Sequence, residues 1–334
     1  MTTRTGLKVA VTGPTGTFGF GLIPLLEGDT RIASILGIAR RPFDPQEHGW
    51  SKMTYRQGDV RDRASLEAAF AGADVVVHLA FLITGGGASV ETIRAINIEG
   101  SINAFRAAAA AGAKRFVYAS SIAAYGFHAD NPIGMTEEWP TRPADHLFYA
   151  QEKAELEETL AKDAAAHPEL GLYLLRPPIV LGPHAIGGKS ELANRLLPRV
   201  GRMAAGLRRS PVRMPVPVPD LPVQVIHEDD VGTAFLQCII GAGPPGAYNI
   251  AAEGLLTGAD LARRLGLHAI AVPAGPVQRL ARRVAGLPMP SGLARMTSWL
   301  ESYSHPSIMD TSKAQRDLGW KPQHSALDAL RGTI

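Results

Sequence analysis

The chain has 334 residues, of which 46% are apolar and 19% charged, and its net charge is only +3. That is the balance of a folded globular protein, and it gives no case for nucleic acid or an acidic membrane as partner. The single cysteine, Cys238, excludes an internal disulfide. A reducing compartment is therefore expected. The N-terminal MTTRTGLKVA carries no apolar signal core, and no run approaches the ~18 apolar residues of a membrane span. A cytoplasmic protein is expected.

In chain order, LKVAVTG reads as a strand and Phe18 to Leu26 as a helix. Ser34 to Ala39 is the next strand, Thr54 to Gln57 a weak one, and Ala64 to Ala71 a short helix. Asp74 to Leu79 is a buried strand, followed by a long helix over about Ala88 to Ala111 and the strand Arg115 to Ser120. A second long helix covers His146 to Ala165, and the strand LYLLR ends at Arg176. This rhythm predicts an α/β fold, a Rossmann-type doubly wound parallel sheet covered on both faces.

After Arg176 the rhythm breaks into a stretch rich in Pro, Gly and Arg, read as loops around one helix. Val223 to His227 and Ala247 to Ala251 are strand-like pieces expected to return to the main sheet. The dinucleotide-binding domain is accordingly assigned to 1–176 plus about 222–251. A smaller mixed C-terminal substrate lobe takes about 177–221 plus 252–334.

At the first strand–helix junction stands VTGPTGTFG. Gly13 permits a tight turn, Gly16 lets the backbone approach a pyrophosphate, and Gly19 lets helix and sheet pack closely. The helix N-terminus then points its N–H groups at the phosphates. Gly13, Thr15, Gly16, Thr17, Phe18 and Gly19 are the candidate phosphate-loop residues. A carboxylate at the end of the second strand would hold a ribose 2′-hydroxyl, as in NAD binders, whereas an arginine suits NADP. The sequence there is ILGIARRPFD, so Arg40 and Arg41 favour NADP, with NAD the alternative. In GDVRD, Asp59 and Val60 are placed to touch the adenine, and Asp59 reads equally as a helix cap.

FYAQEKAE puts Tyr149 and Lys153 four residues apart, on one face of a helix. A phenol titrates near ~10, so Tyr149 works as a base only if a neighbouring ammonium stabilises its anion. Ser120 and Ser121 follow the strand that ends near Ala119, at the carboxyl edge of the sheet where such folds bind ligands. A hydroxyl there can hold a substrate carbonyl or alkoxide oxygen.

In this order the motifs resemble the short-chain dehydrogenase/reductase superfamily, in its extended branch, the NAD-dependent epimerase/dehydratase family. TGPTGTFG, VVHLA, NIEG, YASSIAAYG, YAQEK, RPPIVLGP, IHEDDV, YNIA and DTSKAQRDLGWKP match its landmarks across nearly the whole chain. The resemblance implies that Ser121 binds the substrate oxygen and Tyr149 moves the proton. It implies that Lys153 holds the nicotinamide ribose and lowers the tyrosine pKa, and that Asn97 steadies the active-site helix. Leu79, Ala80 and Pro177 would lie beside the dinucleotide. Relatives commonly pair their two long helices, so a homodimer is expected.

His78 matches an ordinary strand-end position and is read as structural. No metal is expected: no HxxxH spacing occurs, and His227 to Asp230 reads as a strand end with a helix cap. The substrate stays open. Pro177, Pro178 and Ile179 stand where sugar-nucleotide epimerases usually have an asparagine, and the apolar Arg213 to Val223 suits a less polar ketone. Arg195, Arg199, Arg202, Arg208, Arg209 and Arg213 suit a diphosphate. The chemistry expected is reversible hydride transfer between nicotinamide and a secondary alcohol or ketone. A sugar-nucleotide epimerase or dehydratase with tightly held NAD is one alternative, and a non-catalytic dinucleotide-binding sensor the other.

Overall fold

The structure is a computed structural model that describes residues 6–83, 88–185, 216–264, 268–285, 287, 298–303 and 305–333. Seven strands build its main sheet: β1 (Leu7–Thr12), β2 (Ile32–Ala39), β3 (Met53–Gln57), β4 (Val75–His78), β5 (Arg115–Ala119), β6 (Gly171–Arg176) and, later in the chain, Gly246–Asn249. Their spatial order is Gly246–Asn249, β6, β5, β4, β1, β2, β3, and every neighbouring pair is parallel.

The period-2 alternation of the strands divides the core between the two faces. Val9, Val11, Val75 and Val77 face one way, onto Leu22 and Leu26 of α1 (Thr17–Gly28) and Phe235 of the helix Glu228–Ile240. Ala10, Val76 and Phe116 face the other way. They meet Phe70 of α2 (Arg63–Phe70), Phe105 of the helix Gly100–Ala110 and Leu156 of the helix Phe148–Ala166. Cys238 is buried in the first of these layers, where burial pushes its thiol up. Among the described residues no helix is long and apolar enough to cross a membrane.

Two expectations change. The long helix is not a continuous α-helix: Val90–Arg94 and Gly100–Ala110 are α-helical, and Ala95–Glu99 between them is a π-helical turn. Gly100 follows that turn because a Cβ there would stand 2.4 Å from Val60 Cγ2. Val225–His227 does not join the main sheet but pairs in parallel with Ile179–Leu181. The strand at Gly246–Asn249 does return, beside β6.

The chain leaves β1 toward β2 on one side and comes back to β4 on the other. The carboxyl ends of β1 and β4 therefore form the topological switch point, where α/β sheets bind ligands.

Candidate active site

At the switch point, Gly13 adopts φ +71° and its N–H donates to Ile38 O at 2.8 Å. A Cβ on Gly13 would lie 2.8 Å from Ala80 N, and one on Gly19 1.9 Å from Pro14 O, so only glycine fits either place. Gly16 is the N-cap of α1 and has no side chain to cap it; no acidic residue occupies the first turn. That leaves a positive helix end turned to the crevice, which fits a pyrophosphate. Thr15, Thr17 and Phe18 are half-buried around it. The Thr17 hydroxyl donates to His184 O at 3.2 Å. Leu79 donates its N–H to Thr12 O at 3.0 Å, and its carbonyl carbon would stand 3.1 Å from a Cβ on Gly13.

Arg40 and Arg41 stand exposed beyond β2. Their backbone is fixed from β3: the Tyr55 hydroxyl donates to Ala39 O and Arg41 O, and Gln57 Nε2 to Arg40 O. Asp59 is gripped by Arg61, with bonds of 3.0 and 2.6 Å. That guanidinium first, with Arg40 adding at longer range, holds its carboxyl below the usual range. The cap of α2 is Asp62, which accepts from Ser65 N at 3.0 Å, so the capping role considered for Asp59 falls to Asp62. Val60 is buried against Gly100.

The two serines after β5 have different tasks. Ser120 donates to the buried Glu157, which is paired with Arg176. Arg176 donates to the Tyr125 hydroxyl at 2.6 Å, and that hydroxyl to Asn249 Oδ1 at 2.8 Å. This chain joins β5, β6 and the strand Gly246–Asn249 and consumes Ser120. The Ser121 hydroxyl accepts from Ala123 N at 3.2 Å and interacts with the Tyr149 phenol. Of the two, Ser121 is the one beside Tyr149.

Burial pushes the Tyr149 phenol up, and the hydrogen bond with Ser121 only partly opposes it. The lowering expected from a lysine is not what this enclosure produces. Lys153 Nζ lies 5.7 Å from the Tyr149 ring centroid and donates instead to Tyr118 OH at 2.9 Å and Ala119 O at 2.7 Å. Phe81 covers the ammonium, its ring centroid 3.7 Å from Nζ. Burial brings Lys153 down to about 7, against the pull of Glu157 and Glu152.

Asn97 sits in the π-helical turn, fully buried. Its Oδ1 accepts from Leu82 N at 2.7 Å, and its Nδ2 donates to Leu82 O at 3.0 Å and to Glu152 Oε2 at 2.7 Å. It ties the segment after β4 to the helix of Tyr149 and Lys153. Next to it, His78 is buried between Thr12 Oγ1 at 2.8 Å and Ser101 Oγ at 2.9 Å. Ser101 gives its proton to Asn97 O at 2.5 Å, so His78 Nε2 carries the hydrogen and Nδ1 accepts from Thr12. Burial, with Lys153 adding, drops His78 to about 3. It is a neutral structural tie.

Four contributors were not named from the sequence: Phe81, Tyr118, Trp299 and Glu301. Trp299 stacks on Tyr149, and the buried Glu301 accepts the N–H groups of Asp145, His146 and Leu147 at the start of the Tyr149 helix. Tyr118 opens the YASSIAAYG motif, though nothing there marks it as a partner of Lys153, and no quoted motif includes Phe81, Trp299 or Glu301, whose places follow from contacts distant in sequence. Pro177 accepts Ile122 N on its carbonyl at 3.0 Å, beside the Ser121 turn. The six arginines between 195 and 213 lie outside the described residues. His227, Asp229 and His324 bring ligand-type atoms within 4.8 Å of one another. His227 Nδ1, however, accepts Asp229 N as the helix cap, as read from the sequence.

Known proteins agree with this architecture. An uncharacterized protein of Sinorhizobium fredii is 28% identical over 334 residues, 94% of this chain and 74% of that protein. The N-acetyl-alpha-D-glucosaminyl-diphospho-ditrans,octacis-undecaprenol 4-epimerase of Escherichia coli is 29% identical over 190 residues, 57% of this chain and about half of that enzyme, 54%. Among solved structures, the Bordetella bronchiseptica enzyme WbmG in complex with NAD superposes with a TM-score of 0.68 at 22% identity, over 100% of this chain and 94% of that one. The sequence profile described as NAD dependent epimerase/dehydratase family matches residues 9–251. With the glycine cradle and the strand order already in place, that match makes the chain an enzyme of the NAD-dependent epimerase/dehydratase family.

Proposed function

We propose that this enzyme moves a hydride reversibly between a nicotinamide dinucleotide and a secondary alcohol or ketone carbon of a hexosyl diphosphate. Ser121, Tyr149 and Lys153 are the working groups. What supports the reading is that Tyr149 and Lys153 share the helix Phe148–Ala166 and that Lys153 Nζ donates to Ala119 O at the carboxyl end of β5, two residues before Ser121. The substrate class is supported by the names of two relatives, the Escherichia coli enzyme above and a UDP-glucose 4-epimerase of rice.

The cradle of Gly13, Gly16 and Gly19 would hold the pyrophosphate of the cofactor. When bound, the nicotinamide supplies a reversible hydride acceptor. Ser121 would donate a hydrogen bond to the reacting oxygen and fix it against Tyr149. Tyr149, kept protonated by burial, would give its proton to the ketone oxygen as the carbon accepts a hydride, and its phenolate would take the proton back in the reverse direction. Lys153 has three N–H donors, two of them committed to Tyr118 OH and Ala119 O. The third is left for a ribose hydroxyl. Phe81 and Trp299 keep water from the phenol ring.

A second reading, an NADP-linked reductase with an exchanging cofactor, is supported by Arg40 and Arg41 exposed beyond β2. A non-catalytic sensor would have no need of the Ser–Tyr–Lys set. Denaturing freshly purified protein and identifying the released nucleotide separates the two enzymatic readings. Near-stoichiometric NAD supports the epimerase or dehydratase type, whereas an empty protein that prefers NADPH supports the reductase. Tyr149→Phe is expected to abolish turnover and spare cofactor binding, and activity that survived it would remove the site assignment.

A further inference from the structure

The Tyr149 ring contacts two aromatic side chains. Phe81 meets it edge-on at 89°, and the Trp299 indole lies along it at 27°, each 5.6 Å away between centroids. Trp299 opens the 3₁₀ turn Trp299–Tyr303, which also carries Glu301. The buried Glu301 carboxylate takes N–H groups from Asp145 at 2.8 Å, His146 at 2.8 Å and Leu147 at 2.6 Å. Sliding the indole away from the phenol would break these three charge-assisted bonds, so the turn is fixed to the helix that carries Tyr149. Trp299 also belongs to the apolar cluster containing Ala123, two residues after Ser121.

We infer that Trp299 is a specificity-determining residue: its indole is the platform against which the hexose ring packs while the reacting oxygen meets Ser121 and Tyr149. The inference rests on the hexosyl diphosphate reading above. Trp299 stacks on Tyr149 and packs on the cluster of Ala123 beside Ser121, so a ring whose oxygen meets both hydroxyls has the indole as a neighbour. The C–H groups on a hexose face carry small positive charge, and the indole π-face is negative. A cleft wall of this kind favours a neutral ring and gives nothing to the diphosphate. Recognition of the ring and of the diphosphate are therefore separable, and the contribution of Trp299 falls on the sugar alone.

The test is calorimetric titration of the NAD-saturated protein with UDP and, separately, with UDP-glucose. In Trp299→Leu, which keeps bulk and loses the aromatic face, UDP-glucose is expected to bind about tenfold more weakly with UDP unchanged. Trp299→Phe is expected to retain most of the wild-type affinity for UDP-glucose. An unchanged UDP affinity also shows that each variant is folded. Equal behaviour of the Leu and Phe variants, or equal losses for UDP and UDP-glucose, overturns the platform while leaving the substrate class standing. A wild-type protein that binds neither ligand overturns a uridine diphosphate hexose as the substrate, and the platform for it.

Discussion

The carboxylate of Glu301 accepts the backbone N–H of Leu147 at 2.6 Å, closing a contact across 154 residues. Leu147 is the N-cap of the helix Phe148–Ala166, and Glu301 accepts its N–H from afar as the glutamate of a capping box would from within the helix. Its charge also lies at the positive end of that helix. Glu301→Gln keeps the shape, and loss of the charge is expected to destabilise the protein by about 2 kcal/mol. Urea unfolding measures it, and an unchanged midpoint would show that the carboxylate is not a cap.

Gly232 and Gly21 set the closest approach of the helices Glu228–Ile240 and α1. A Cβ on Gly232 would stand 2.1 Å from Gly21 O, and one on Gly21 2.3 Å from Glu228 O. Because the obstacles are backbone atoms, no side chain can turn aside. Gly232→Ala is expected to destabilise by about 3 kcal/mol and to disturb α1, whose N-terminus forms the phosphate cradle. Cofactor affinity should fall with stability. A variant as stable as the wild type would show that the crossing is looser than described.

The strands were legible because Val75–His78 and Arg115–Ala119 are almost uninterrupted apolar runs, which a sheet covered on both faces requires. The cradle was legible because steric need dictates glycine there. Ile179–Leu181 was not: three residues after two prolines are too few to show a period. The π-helical turn has no periodic signature either, since it shifts hydrogen bonds without changing residue types. Tyr149, Lys153 and Ser121 could be named from spacing and motif. What packs on Tyr149, the Trp299 and Phe81 rings, depends on tertiary contact alone.

Burial of His78 makes a pH-dependent stability measurable. In the folded chain His78 takes a proton only near about 3, against 6.5 when it is unfolded. Between those values the unfolded state binds the extra proton, so the contribution is full above 6.5 and is lost as pH falls. From pH 7 to pH 4 the loss due to this residue is expected to be about 3 kcal/mol. His78→Asn is less stable at pH 7 but cannot titrate, so its stability should decline more gently over the same interval. Parallel urea-unfolding curves for the two proteins would assign the acid sensitivity to other groups.

Tyr118 offers the last expectation, because its hydroxyl accepts a bond from Lys153 Nζ at 2.9 Å. Burial already brings the lysine to about 7, and an acceptor on the ammonium favours the charged form. Tyr118→Phe removes that acceptor and leaves the ring, so the lysine should fall below its present value. The charged form, which keeps a donor for a ribose hydroxyl, then persists only at lower pH. NADH affinity, followed by its fluorescence, is expected to drop in wild type as pH rises through about 7 and to drop at lower pH in the variant. A merely structural hydroxyl would weaken binding equally at pH 6 and pH 8. Identical pH profiles in the two proteins would therefore separate Tyr118 from the charge on Lys153.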